Sequence, residues 1–201
     1  MTDVTETAGS TARTVLAELK AVDLAVYRAV EGTATPQLDK PLRLVTQAAD
    51  NSKLWFAIAA ALFAFGGRRG RRAAVTGAVA VGLNSLIVNQ PLKRVGRRHR
   101  PDRARGEDAF VERHVNMPTS TSFPSGHSAS AFAFAQAVSA WYPGAGFPLR
   151  ALATTVAYSR VHSGVHYPGD VLAGSLIGMA IGEGTARGAR RLVRNRAGRS
   201  G

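Results

Sequence analysis

Five mostly apolar stretches, each compatible with a helix, follow one another along the chain from Leu54 onward. They run from Leu54 to Phe65, from Ala73 to Leu92 without any charged residue, and over about 126–142, 147–162 and 168–186. This series predicts an all-α, multi-pass transmembrane helical bundle of about five to six spans, although several stretches are shorter than the roughly 20 residues of a typical span. A soluble helical bundle with buried helices is the alternative, and a mean hydropathy of -0.04 is low for an integral membrane protein. Small residues such as Gly174 and Gly178 would allow the helices to pack closely.

The region before Leu54 differs in character. Residues 1–12 are small and polar, so we expect them to be disordered, and they lack the basic start and apolar stretch of a secretory signal. Apolar residues at positions 15, 19, 22, 26 and 30 predict an amphipathic helix, and Thr35-Pro36 predicts the start of a second one. Both helices are expected either to pack on the bundle, the commoner outcome, or to lie on a bilayer surface. The chain therefore divides into a disordered N-terminus (1–12), amphipathic helices (13–52), a membrane domain (53–188) and a basic C-terminal tail (189–201).

The overall charge indicates an anionic partner. The chain of 201 residues has 26 Lys and Arg against 13 Asp and Glu, which gives a formal net charge of +13. Membrane lipid, nucleic acid and a phosphate substrate all fit this excess. Cysteine is absent, so disulfides, cysteine-based metal sites and cysteine nucleophiles are excluded.

Three short polar segments contain the residue types that a phosphate-transfer site needs. In the first, seven residues separate Lys93 from Arg100, close to two helical turns, so both side chains are predicted to point the same way from the end of one helix. Pro101 then ends that helix. In the second, Ser125-Gly126-His127 follows Pro124 and precedes a helix-compatible run, so it is predicted to form a helix N-terminus, which favours an anion.

The third segment contains Ser159-Arg160, and His166 with Asp170 four residues later. An imidazole whose Nδ1–H is held by a carboxylate keeps its other nitrogen free as an acceptor or nucleophile. Each segment alone has a simpler explanation, because a basic run can anchor a helix at an interface, Ser-Gly-His can cap a helix, and His with Asp can form a surface pair. Their occurrence together, in this order, favours a common site.

In combination, Lys93-x6-Arg100-Pro101, Pro124-Ser125-Gly126-His127 and Ser159-Arg160-x5-His166-x3-Asp170 resemble the three-part signature of the phosphatidic acid phosphatase type 2 superfamily. Every signature position is matched, and the resemblance covers about Lys93 to Gly174. It implies a phosphatase in which His166 attacks phosphorus to give a phosphohistidine, Asp170 orients His166, and His127 protonates the leaving group. The residues implied to hold the phosphate oxygens are Lys93, Arg100, Ser125, Gly126 and Arg160. No cofactor and no divalent metal are implied.

The implied reaction is metal-independent hydrolysis of a lipid phosphate monoester or diphosphate. A polyprenyl phosphate or diphosphate is the favoured substrate, with phosphatidic acid or phosphatidylglycerol phosphate as alternatives, since the motifs contact only phosphate. A soluble acid phosphatase or haloperoxidase-like enzyme on the same scaffold is a further alternative. A basic protein that binds anionic lipid or nucleic acid through its Arg-rich tail is a remote one, and without an aromatic-rich or groove-reading element we expect no nucleic-acid partner. The sequence leaves the oligomeric state open.

The positions of the motifs predict a topology in the cell membrane. All site residues fall at helix ends that must share one face, whereas the basic turn from Arg68 to Arg72 and the Arg-rich tail fall on the other. The positive-inside tendency places that other face in the cytoplasm, so the active site is expected on the extracytoplasmic face. The segment from Asp102 to Thr121 is either a gate over the site or a plain solvated loop. A loop or surface role is expected for His99, His114 and His162.

Overall fold

The computed structural model describes residues 3–93, 96–103 and 113–199 of the chain. This part contains seven α-helices: α1 (Asp3–Gly32), α2 (Pro36–Ala48), α3 (Lys53–Phe65), α4 (Gly67–Ile87), α5 (Gly126–Ser139), α6 (Gly146–His162) and α7 (Pro168–Ala197). Two 3-10 turns, Asp50–Ser52 and Pro143–Ala145, and one π turn, Val88–Leu92, connect or extend them. No strand occurs in the described ranges, so the all-α prediction is confirmed.

Helix α1 begins earlier than the sequence pattern indicated. The expected disorder of residues 1–12 is corrected for positions 3–12, which form the first turns of α1. No proline interrupts this segment, and a helix that is already nucleated by its neighbours extends at little cost. Residues 1, 2, 200 and 201 lie outside the described part of the chain.

The two N-terminal helices pack on the bundle to different extents. On α1, the apolar side chains Leu16, Leu19 and Val22 are about 60 % exposed (58–60 %), whereas Tyr27 is buried and contacts the Tyr167 ring edge-on at 5.3 Å. Among the side chains of α1 that the structure describes, burial therefore fixes those of its C-terminal part. Helix α2 packs against α6 and buries three side chains. These are Asp39, Leu42 and Thr46.

The core surrounds α5, which is the second-shortest of the helices α3 to α7. Its Ala131, Phe134 and Val138 are fully buried, and Trp55 of α3 packs against Phe134 with ring centroids 5.4 Å apart. Helices α3, α4, α6 and α7 contact α5 or one another around this core. The abundance of alanine along α5 lets the surrounding helices approach it from several sides.

A stripe of glycines brings α7 against α5. Gly174, Gly178 and Gly182 recur every four residues on α7, so they share one face. A Cβ atom at any of them would lie closer than 3.0 Å to a backbone oxygen of α5 or of the residue before it. The close packing expected from Gly174 and Gly178 is thus confirmed, and it holds the start of α5 beside the start of α7.

Two features of the predicted membrane bundle stay open. In the described part of the chain, no helix combines the length and the apolar composition that a bilayer crossing requires. The number of spans therefore stays a prediction. Nine of the twenty residues of the predicted gate, 104–112, lie outside the described part of the chain.

Candidate active site

The three polar segments meet at one end of the bundle, where α5 and α7 begin and α6 ends. Lys93 Nζ donates to Ser120 Oγ at 3.0 Å, and the same hydroxyl accepts from Arg100 Nη2 at 3.2 Å. Arg100 Nη1 lies 3.2 Å from His166 Nε2. One continuous set of contacts therefore joins the first segment to the third, over more than 60 residues of sequence.

Lys93 and Arg100 do not project from one helix, which corrects the prediction from their seven-residue spacing. The helix ends with the π turn that contains Pro91, and Arg100 lies in a non-helical segment. Proline lacks the N–H that would continue the α-helical hydrogen bonds. Arg100 is instead held by backbone carbonyls, with Nε donating to Ser120 at 2.8 Å and Nη1 to Val165 at 2.7 Å. Its guanidinium is fixed before any ligand binds.

The ring of His166 lies buried in the connection between α6 and α7. Its Nδ1 is 3.4 Å from Ser122 Oγ and 3.6 Å from Asp170 Oδ2, and the Ser122 hydroxyl itself donates to Asp170 Oδ2. This network assigns the proton to Nδ1 and leaves the Nε2 lone pair facing Arg100. Burial, and then the charges of Arg100 and Arg160, lower the pKa of His166 to about 3 despite the opposing effect of the Asp170 carboxylate nearby. The imidazole is therefore neutral at physiological pH.

Asp170 is held from several directions at the start of α7. Oδ2 accepts from the Tyr167 backbone N–H at 2.9 Å, and Oδ1 accepts from Arg98 Nη1 at 3.1 Å. Arg98 in turn binds Asp23 of α1 at 2.6 Å and lies over the Tyr167 ring at 3.9 Å. The carbonyl of Asp170 accepts from the Ser125 N–H at 2.9 Å, which ties the third segment directly to the second.

The second segment forms the predicted helix N-terminus, with α5 beginning at Gly126. Ser125 is the N-cap and is fully buried; its Oγ accepts from the Ser128 backbone N–H at 3.4 Å and from the Ser128 hydroxyl at 2.9 Å. Because Ser125 acts only as an acceptor in both contacts, a donated hydrogen bond to phosphate is compatible with them. The first turn of α5 thus presents N–H groups and the positive end of the helix dipole.

Two further site contacts come from the α2 region, and the sequence analysis missed them. His127 Nε2 lies 2.8 Å from Asp50 Oδ1, and Arg160 Nη1 donates to Thr46 Oγ1. Arg160 is only 2 % exposed, and its Nε has no hydrogen-bond partner among the described residues. No local pattern marks Thr46 or Asp50, because each meets its partner across 77 residues or more of sequence.

A cavity of about 210 Å³ opens beside His127 and Lys93. The turn between α2 and α3 forms one wall, and two of its residues, Asn51 and Ser52, have left-handed backbone angles with φ of 52° and 60°. Burial, followed by the charges of Arg100 and Arg160, lowers the pKa of Lys93 to about 8. Cations that lie close enough to depress one another's pKa favour an anion between them. The lining residues are Ala49, Asn51, Ser52, Lys93, Gly126, His127 and Ser130.

The remaining histidines lie outside this cluster. His99 is exposed and His114 lies in a loop, as expected, but His162 is buried at the end of α6 and contacts Asp39 Oδ1 at 2.8 Å. The expected loop or surface role of His162 is therefore wrong, because α2 supplies a carboxylate that the sequence does not place beside it. Among the described residues, no three His, Asp or Glu side chains come together as a metal site would require.

Known proteins resemble this chain in sequence and in fold. Decaprenylphosphoryl-5-phosphoribose phosphatase of Mycobacterium tuberculosis is 36 % identical over 116 residues, which are 57 % of this chain and 60 % of that protein. The chain therefore spans less than two thirds of the length of this relative. A transmembrane PAP2 type phosphatidylglycerolphosphate phosphatase from Bacillus subtilis superposes with a TM-score of 0.68 at 24 % identity, over 87 % of both chains. Aquifex aeolicus LpxE superposes with a TM-score of 0.65 at 26 % identity, over 82 % of this chain and 94 % of that one.

The family assignment agrees with the geometry. The sequence model of the PAP2 superfamily matches residues 73–194, which is more than half of the chain. The matched region contains all eight residues that the motifs singled out, and the structure gathers these residues at one end of the bundle. The chain belongs to the PAP2 superfamily.

Proposed function

We propose that this protein is a phosphatase that removes phosphate from a lipid through a phosphohistidine intermediate, without a metal. The observation that carries the proposal is the setting of His166. Its Nε2 is an acceptor that lies 3.2 Å from Arg100 Nη1, while Ser122 and Asp170 hold the opposite ring nitrogen. A neutral, oriented imidazole beside a fixed cation is an activated nucleophile aimed at an anionic substrate.

The surrounding groups are suited to hold the phosphoryl oxygens. Lys93, Arg100 and Arg160 supply positive charge, and the start of α5 at Gly126 adds backbone N–H donors. The unpartnered Nε of Arg160 is buried, so a bound phosphate oxygen would satisfy a donor that is otherwise costly to leave unpaired. Because phosphoryl transfer depends chiefly on positioning and on charge stabilisation, this arrangement fits the reaction without further groups.

The reaction proceeds in two displacements at phosphorus. In the first, the Nε2 lone pair of His166 forms the N–P bond while the bond from phosphorus to the leaving oxygen breaks, and His127 gives that oxygen a proton. Asp170 stabilises the positive charge that develops on His166. In the second, His127 takes a proton from water, the water oxygen bonds to phosphorus, and the N–P bond breaks to release inorganic phosphate.

A polyprenyl phosphate or diphosphate is the substrate that we favour. The Mycobacterium tuberculosis relative carries a decaprenylphosphoryl substrate in its name. Apolar side chains on the outer face of α4 recur at helical spacing and are 39–65 % exposed, as a surface in contact with lipid would require. They are Val75, Val79, Leu83 and Leu86. Phosphatidic acid and phosphatidylglycerol phosphate stay as alternatives, because the site groups described above would contact only the phosphate of a substrate.

We also propose that the bundle is a multi-pass protein of the cell membrane whose active site opens on the extracytoplasmic face. Exposed apolar side chains on α4 and on α7, where Leu172 and Leu176 are 65 % and 64 % exposed, support a lipid environment. The end opposite the site carries the arginines at the start of α4 and in the last turns of α7. This distribution supports placing that end in the cytoplasm.

Phosphate release by the purified protein tests the proposal. We expect release from polyprenyl phosphate and diphosphate, weaker release from phosphatidic acid and phosphatidylglycerol phosphate, and none with His166→Ala, provided that the variant keeps the wild-type thermal unfolding midpoint. A chelator should leave the rate unchanged. The proposal would be contradicted if the protein released phosphate from none of these lipids, or if His166→Ala kept full activity.

A further inference from the structure

The second histidine of the site has a carboxylate partner of its own. Asp50 Oδ1 lies 2.8 Å from His127 Nε2, in the 3-10 turn that joins α2 to α3. This turn precedes the part of the chain that the family model matches, which begins at residue 73. The motifs assign a carboxylate only to His166, so Asp50 is an addition that they do not contain.

The electrostatic setting of His127 makes this partner important. Burial of the His127 ring, and then the charges of Arg160 and Lys93, lower its pKa against the opposing hydrogen bond with Asp50. A general acid must carry a proton to donate it, so these neighbours oppose its task. Asp50 is the carboxylate that acts against them on this ring. Its pKa is lowered below the usual range, first by the hydrogen bond with His127, so the carboxylate is ionised at neutral pH.

The turn that carries Asp50 is held in place by buried contacts of α2. Asp39 contacts His162 at 2.8 Å and Arg113 at 3.3 Å, and all three side chains are at most 6 % exposed. Further along α2, Thr46 accepts from Arg160. Non-glycine residues at positive φ, Asn51 and Ser52, follow Asp50 directly, and such backbone persists only where the surroundings fix it. The position of Asp50 is therefore set by the fold.

We propose that Asp50 is a positioning residue that orients His127 and stabilises its imidazolium, so that Nδ1 of His127 donates the proton to the leaving oxygen. The inference rests on the proposed phosphatase function and deepens it, because it assigns the acid to a pair rather than to one histidine. The two imidazoles then each have a carboxylate. Asp170 serves the nucleophile, and Asp50, from outside the motifs, serves the acid.

The substitution Asp50→Asn tests the pair, because it removes the charge and keeps the shape. A lipid phosphate, whose alkoxide leaving group needs a proton, should lose about 10²-fold in kcat with little change in KM. The aryl substrate 4-nitrophenyl phosphate has a stable leaving group, so its kcat should change by less than about threefold. Asp50→Glu should recover part of the lipid rate.

Asp39→Asn is the matched control, because Asp39 is a buried carboxylate of α2, the helix just before the turn that carries Asp50, and it contacts Arg113 and His162. Asp39→Asn should loosen α2, and so lower the thermal unfolding midpoint and reduce kcat for both substrates by the same factor. A uniform loss for both substrates in Asp50→Asn, or an unchanged lipid rate, would overturn the proposal.

A double-substitution cycle separates this inference from the proposed function. In the His127→Ala background, Asp50→Asn should cause no further loss on the lipid substrate, since the group that it positions is gone. If the two substitutions caused independent, multiplicative losses, the proposed pairing of Asp50 with His127 would be wrong, whereas the proposed phosphatase function would still stand. Absence of phosphate release from the wild-type protein with either substrate would contradict the proposed function itself.

Discussion

The two ends of the bundle are both strongly basic, but their cations have different partners. At the far end, Arg71 donates to the Phe63 carbonyl at 3.3 Å and lies over the Phe63 ring. Arg72 and Arg190 both lie over the Trp141 ring, at 5.6 Å and 6.0 Å from its centroid. Arg190 also donates to the carbonyl of Ala140, just after α5. These arginines donate to backbone carbonyls near helix ends and lie over aromatic rings.

At the site end, the cations act on one another. Lys93, Arg100 and Arg160 are close enough that their charges contribute to a Lys93 pKa of about 8, and the Nε of Arg160 is buried without a partner among the described residues. Positive charge that is buried and mutually repelling is costly unless an anion joins it. A phosphate site is therefore marked by the partners of the basic residues at an end of the bundle, and not by the number of those residues.

The largest expected effect comes from removing one arginine at each end. Arg160→Ala should lower kcat/KM for a lipid phosphate by about 10²–10³-fold, because a fixed donor to the transition state is lost. Arg72→Ala should change kcat/KM by less than about threefold, since it leaves the site untouched. Steady-state phosphate release measures both, and thermal unfolding checks that each variant is folded. Similar losses in the two variants would remove the distinction between the ends.

A smaller effect is expected from two glycines of α7 that differ in their surroundings. A side chain at Gly178 would meet the backbone of α5. At Gly184, nearer the far end, no described atom beyond its own turns of α7 lies within 4 Å of the position that its Cβ would take. Gly178→Ala should therefore destabilise the protein by about 1–3 kcal/mol through overpacking. Gly184→Ala should stabilise it by about 0.5–1 kcal/mol, because alanine loses less backbone entropy in a helix. Chemical unfolding in detergent measures both, and equal effects would contradict the close contact of α5 with α7.

The smallest change is expected in the charge of the nucleophile. The pKa of His166 is lowered from its ordinary value of 6.5 to about 3, so the ring should stay neutral between pH 8 and pH 5. The unfolded chain takes up this proton below about pH 6.5. The contribution of His166 to stability is therefore complete above that pH and is lost as the pH falls towards 3. Nitrogen-15 NMR of labelled histidine, with His166→Gln to assign the signal, measures the charge, and titration near pH 6.5 would contradict the buried neutral ring.

The parts of the site that sequence could predict are those set by local chemistry. Ser125-Gly126-His127 forms a helix N-terminus because Ser caps and the residues that follow favour a helix, and both properties are visible within a few positions. The pairing of His166 with Asp170 follows in the same way from a spacing of four residues. The order of apolar stretches likewise predicted the helices from α3 to α7.

The parts that could not be predicted depend on tertiary contacts. Asp50 and Thr46 lie in a segment that reads as an amphipathic helix and its end, and nothing local distinguishes their carboxylate and hydroxyl from surface groups. The Ser122 hydroxyl lies between Asp170 and the His166 ring, and it donates to Asp170, which is 48 residues away along the chain. The seven-residue spacing of Lys93 and Arg100 wrongly predicted one shared helix, because the regular helix ends at the π turn that contains Pro91, before Arg100.

The most direct test of the central claim is to trap the phosphorylated enzyme. Rapid acid-free quenching after mixing with a lipid substrate labelled in its terminal phosphate should give protein-bound label that is stable to alkali and labile to acid, as phosphohistidine is, and peptide mapping should place it on His166. His127→Ala, which retains the nucleophile, should accumulate label from an activated aryl phosphate. Absence of bound label during turnover, or equal labelling in His166→Ala, would contradict the claim that His166 attacks a phosphoryl group held by Lys93, Arg100 and Arg160.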